Sequence, residues 1–98
     1  MPTQLNVQVR FISPEEGGRQ HLPVLLGYRP HLVVPPSTEM LGIEFMEGPA
    51  HYQAHEDIFA TVKCIYQPHV NYGRLTPGTR FNILEGERVV GSGKVVSE

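Results

Sequence analysis

Leu5, Val7, Val9 and Phe11 alternate with Asn6, Gln8 and Arg10, the period of two that turns one face of a strand to a core and the other to water. A first strand is predicted over residues 5–11. It ends in Ser13-Pro14-Glu15-Glu16-Gly17-Gly18-Arg19, where Pro14 cannot continue a ladder and paired glycines accept positive φ. Residues 22–26 form a second apolar run, interrupted by Gly27-Tyr28-Arg29-Pro30, in which Pro30 keeps Arg29 out of helical conformation. A strand over residues 31–34 stops at Pro35-Pro36, and Leu41, Ile43 and Phe45 share one face of a strand that counts as the fourth. The longest strand is predicted over residues 58–66, with Ile58, Ala60, Val62, Cys64 and Tyr66 on one side and Phe59, Thr61, Lys63 and Ile65 on the other. Apolar residues on both faces imply partial cover on both sides. After a loop at residues 69–77, residues 79–98 read as a β-hairpin: Phe81, Ile83 and Leu84, then Val89, Val90, Val95 and Val96, flank a charged turn at Gly86. Gly91 and Gly93 fall on one face of the second arm, which leaves room for another backbone or a bulge where a barrel strand bends.

No helix, repeat or linker emerges from this pattern. The expected architecture is a closed all-β structure with a core of Val7, Val9, Phe11, Leu41, Ile43, Ile58, Val62, Phe81, Ile83 and Val95. Ten Gly and nine Pro scattered over 98 residues punctuate the chain often, which suits short strands. A chain of this size forms one domain whose folding removes only about 60 to 65% of the unfolded surface from water.

The net charge of −2 supplies no overall field toward nucleic acid or an anionic membrane, so binding of either kind has to be local. Cys64 is alone, which leaves no disulfide framework and no cysteine metal site within one chain; a buried, inert thiol is expected. The first residues lack a basic region followed by an apolar stretch, and no run reaches bilayer length, so a soluble, cytoplasmic protein is expected.

Three patterns suggest chemistry and are weighed against plainer readings. Gly91-Ser92-Gly93-Lys94 resembles the end of a phosphate-cradling loop but lacks the earlier glycine, the following Ser or Thr, and the helix that such a loop needs. His51 and His55 have the spacing of a helical zinc pair, but residues 50–54 read as strand and turn, where the rings do not converge. Glu15 with Glu16, or Glu85 with Glu87, are carboxylates at solvated turns with no reason to act as acid and base. No metal, cofactor, small-molecule substrate or catalysis is expected.

Glu15-Glu16-Gly17-Gly18-Arg19, then Gly27-Tyr28-Arg29-Pro30, then Phe81-x-x-x-Glu85-Gly86-x-Arg88-x-Val90-Gly91-x-Gly93-x-Val95 resemble, in this order and roughly this spacing, the C-terminal β-barrel domain of bacterial elongation factor Tu. The resemblance runs over residues 6–96 and implies a six-stranded antiparallel Greek-key barrel. It also implies a non-catalytic role: in that family the barrel packs on a GTP-binding domain and touches the T-stem backbone of aminoacyl-tRNA. Carried over by motif, the RNA or partner contacts are Arg19, Gln20, Arg29, His31, Glu85 and Gly86. Arginine at a turn can donate bidentately to phosphate, and a glycine N–H can approach RNA closely. Glu87, in place of a second glycine, sets a negative charge beside that turn, residues 53–56 lack the Pro-Gly pair of the family, and the chain carries no nucleotide-binding domain. The alternative partner is a protein, such as a GTPase supplied by another chain or a toxin, docking on an apolar patch with Phe59 and Ile65. In either case Arg19 and Arg29 have a plainer reading as ion-pair partners of Glu15, Glu16 or Glu85.

Overall fold

Strand β1 (Gln4–Phe11) runs alongside the C-terminal strand β6 (Arg88–Ser97), and this pairing of the two ends of the chain closes a cylinder. The computed structural model describes residues 3–17 and 21–98. Between the two closing strands lie β2 (His31–Val33), β3 (Leu41–Glu47), β4 (Ile58–Cys64) and β5 (Arg80–Glu85). All neighbours are antiparallel in the cyclic order β1-β4-β3-β2-β5-β6, so the barrel is closed and six-stranded. The consecutive strands β2, β3 and β4 lie side by side, and β1, joined to β2 by a long connection, lies beside β4, which is the Greek-key arrangement. Closure removes the unpaired sheet edges that invite aggregation. Apart from a 3-10 turn at Pro14–Glu16, the described residues contain no helix, and none is long and apolar enough to cross a membrane.

All ten residues expected in the core are buried, and the inward positions of every strand supply it. Burying one such side chain contributes about 1.5–3 kcal/mol. The ends of the cylinder are closed by loop residues that the strand pattern does not single out. At one end Phe11 gathers Tyr28, Phe45 and Tyr52, with ring centroids 5.6 to 6.3 Å away, and Tyr28 stacks on Phe45 at 5.8 Å. Elsewhere Tyr72 is buried, its hydroxyl donating to the Gly42 carbonyl at 2.5 Å and accepting the Tyr66 N–H at 3.2 Å. Cys64 is also buried, and loss of hydration pushes its thiol up to about 11.

Gly91 and Gly93 face inward against β1. A Cβ on Gly91 would lie 2.6 Å from the Arg10 carbonyl oxygen, and one on Gly93 would lie 2.3 Å from that of Gln8. A bulge accompanies them: Ile83 pairs with Gly91 while Leu84 pairs with Val89, so Val90 is the extra residue on β6.

Four expectations are corrected. Residues 22–26 form no strand, because Pro23 removes a ladder donor and Gly27 takes a φ of +85° at the end of a turn closed by the Tyr28 N–H on the Leu25 carbonyl. Pro23 and Leu25 are the buried residues of this run, Val24 and Leu26 are exposed, and Leu41–Glu47 is therefore the third strand. Strand β4 stops at Cys64, before Ile65 and Tyr66, and the longest strand is β6 with 10 residues. The outer face of β4 is open rather than covered, with Phe59 67% exposed. Residues 50–54 likewise contain no strand.

The Arg29 and Gly86 corner

Tyr28, Arg29 and Pro30 run beside β3. The Phe45 N–H donates to the Tyr28 carbonyl at 2.8 Å and the Ile43 N–H to the Pro30 carbonyl at 3.2 Å, so Arg29 is bracketed opposite Glu44. Its side chain is 66% exposed and its Nη2 lies 3.3 Å from Glu44 Oε1. This corrects the expected pairing with Glu15, Glu16 or Glu85: the backbone bonds on either side of residue 29 make Glu44 its neighbour. An exposed pair of this kind contributes roughly 0–1 kcal/mol.

His31 opens β2 and pairs with Gly42 on one side and Leu84 on the other; since Leu32 points into the core, His31 points out. The β2/β5 register thereby brings residues 28–31 next to the end of β5. There the Tyr28 hydroxyl donates to Glu85 Oε2, and Arg88 Nη2 donates to Glu85 Oε1 at 3.2 Å. Gly86 follows in the turn with a φ of +60° and no atom within 4 Å of where a Cβ would sit. Arg29, His31, Glu85 and Gly86 are thus assembled at one corner, while Arg19 and Gln20 lie outside the described residues.

The other flagged groups have structural neighbours. Glu16 accepts from Ser13 Oγ at 2.8 Å and contacts His55 Nε2; the Ser13 hydroxyl first, and then His55, hold its carboxyl below the usual value. His55 itself adopts a φ of +66° and donates its N–H to the Phe11 carbonyl at 2.8 Å. His51 is exposed at a bend. Among the described residues no three His, Cys, Asp or Glu side chains converge as a metal site would require. Reading by motif also missed a basic cleft on the far part of the β5/β6 hairpin, lined by Arg10, Arg80 and Lys94. Its only sequence signal is the spacing by two of outward polar residues on three separate strands. No protein-family model matches the chain.

Proposed function

We propose that this barrel is a non-catalytic binding module related to the C-terminal barrel of elongation factor Tu, and that its Arg29 and Gly86 corner contacts the backbone of a tRNA. The observation that carries this reading is the meeting of two motif stretches more than fifty residues apart, Tyr28 to His31 and Glu85-Gly86, through the β2/β5 register and the Tyr28 to Glu85 hydrogen bond. Arg29 keeps most of its surface in water although it touches Glu44, so it can exchange that partner for a phosphate. Gly86 offers an unshielded backbone. Arg88 offsets part of the negative charge that Glu85 and Glu87 bring to the turn.

In a gel-shift titration, tRNA affinity falls steeply between 50 and 200 mM salt, and Arg29→Gln lowers the magnitude of the log–log slope by about one. A shift insensitive to salt, or none, removes the proposal.

Exposed apolar surface favours a second reading, docking of a protein such as a GTPase domain. Phe59 is 67% and Val96 44% exposed, and both border a shallow groove across β1. Ile65, the other expected member, is half-buried in the turn after β4. Calorimetric titration with an elongation-factor GTPase domain, repeated with Phe59→Ser, decides this: equal heats for both proteins exclude the groove.

A further inference from the structure

Each of three adjoining strands carries two outward polar side chains spaced by two. They are Gln8 and Arg10 on β1, Ser92 and Lys94 on β6, and Arg80 and Asn82 on β5, while the intervening Val9, Gly93 and Phe81 point inward. The register aligns them in two rows, Gln8 with Lys94 and Arg80, then Arg10 with Ser92 and Asn82. With Pro35 and Asp57 at the rim they line an open cleft of about 490 Å³, a size within the roughly 300–1,000 Å³ of ordinary ligand pockets. Ser92, the shortest of these side chains, sits in the middle of its row.

The cleft sets three cations, Arg10, Arg80 and Lys94, against the single carboxylate of Asp57, in a chain whose overall charge is negative. Asp57 is committed to Arg10 by two bonds of 2.9 Å, Nε to Oδ1 and Nη2 to Oδ2. That leaves Arg80 and Lys94, which face each other directly across β5 and β6, Lys94 acting on Asp57 through its charge alone. Among the described residues neither forms an ion pair. Like charges directly opposite on a sheet destabilise it, and local conflicts of this kind concentrate where a protein binds something.

We propose that this cleft is a binding site for a phosphate ester, with Arg80 and Lys94 on the charged oxygens and Ser92, Asn82 and Gln8 on the neighbouring hydroxyls. An arginine fork beside a lysine point charge suits a group with several anionic oxygens. The only aromatic ring in the lining, Phe81, is buried, so nothing offers a stacking platform for a base, and recognition rests on phosphate and sugar. The phosphate has two sources, a free small molecule or the backbone of a nucleic acid. The site stands apart from the Gly86 corner: Arg80 and Glu85 are the two ends of β5, roughly 17 Å apart along an extended strand.

The test is a ¹H–¹⁵N titration of the full chain, with inorganic pyrophosphate in one arm and a short single-stranded oligonucleotide in the other, at constant ionic strength. The amides of Asn82, Ser92, Gly93 and Lys94 shift and saturate, and Arg80→Gln or Lys94→Gln weakens the affinity about tenfold or more, while Arg74→Gln, at an exposed arginine outside both the cleft and the corner, leaves it unchanged. Retained spectral dispersion shows that the variants are folded. Tighter binding in the first arm identifies a free phosphate ester, and in the second a nucleic acid backbone. Shifts that never saturate, that chloride reproduces, or that persist in both variants overturn the proposal. An oligonucleotide that moves only the His31 and Gly86 amides also overturns it, while leaving the corner reading intact.

Discussion

The two ends of the β5/β6 hairpin handle charge in opposite ways. At the Gly86 end, Arg29 meets Glu44, and Glu85 accepts from both Tyr28 and Arg88. At the other end, Arg80 and Lys94 confront each other, and the one carboxylate that lines the cleft, Asp57, is hydrogen-bonded by Arg10. The first arrangement is self-sufficient, so a ligand there has to displace an existing partner. The second is incomplete, so an anion entering it relieves a repulsion as well as making a bond, and the gain from binding is larger. Backbone constraints differ in the same way. Gly86 is a glycine because of its φ, with open space around it, whereas Gly93 is a glycine because β1 lies against it.

The largest predicted effect separates those two kinds of glycine. In Gly93→Ala the new methyl would lie 2.3 Å from the Gln8 carbonyl oxygen and 2.9 Å from Val9 Cγ1, and backbone cannot yield as a side chain tip does. The β1/β6 seam that closes the barrel has to part, with a loss of about 3 kcal/mol or more. Gly86→Ala meets no neighbour and loses only about 1–2 kcal/mol for the left-handed conformation. Urea unfolding midpoints of the two variants check this ordering, and similar midpoints would mean that the seam is not under the constraint described.

Smaller effects distinguish the two ends by their partners. Tyr28→Phe removes the hydroxyl that ties the Arg29 segment to Glu85, and a loss of about 1 kcal/mol is expected, read as a lower unfolding midpoint with the cleft amides unmoved. At the cleft, hydrogen bonding to Arg10 first, with Arg10 and Lys94 charge adding, lowers the Asp57 carboxyl below its ordinary 3.8. A carboxyl depressed in the native state stabilises the fold above its unfolded pKa, and that contribution is lost as the pH falls through the lower native value. Arg10→Gln therefore flattens the acid side of the stability curve, measured as urea midpoints from about pH 6 down to about pH 2. An unchanged acid limb would show that the pair is not formed in solution.

How much of this was legible beforehand follows from the range of each signal. The alternation in residues 5–11, the Pro and Gly stops, and the Gly91 and Gly93 spacing are local, and local signals sufficed for a closed barrel and for all ten expected core residues. Residues 22–26 misled because they are apolar without a period, and one buried leucine in a turn looks the same in sequence as one in a strand. Tyr28, Tyr52 and Tyr72 were missed as end plugs, since burial of a loop aromatic is decided by what packs over it. The Arg29 and Gly86 corner was visible through turn motifs. The cleft was not, because Gln8 and Lys94 become neighbours only through the register of strands at opposite ends of the chain. Ser92 and Lys94 drew notice for a loop they do not form, yet they point to a place where a phosphate can be held by side chains rather than by a glycine-rich backbone.

The smallest predicted effect has the most informative sign. Arg80→Glu places a carboxylate directly across from Lys94 and converts a repulsive cross-strand pair into an attractive one. The substitution touches no buried side chain, since Arg80 is exposed at the start of β5. Stability is expected to rise by about 0.2–1 kcal/mol, while the same change removes one of the two open cations from the cleft and adds a charge that repels phosphate. A purely structural arginine would give a neutral or lower unfolding midpoint and leave the pyrophosphate titration as it was. A variant that is more stable and no longer binds would mean that the repulsion is kept for the sake of the ligand, because the barrel alone is better off without it.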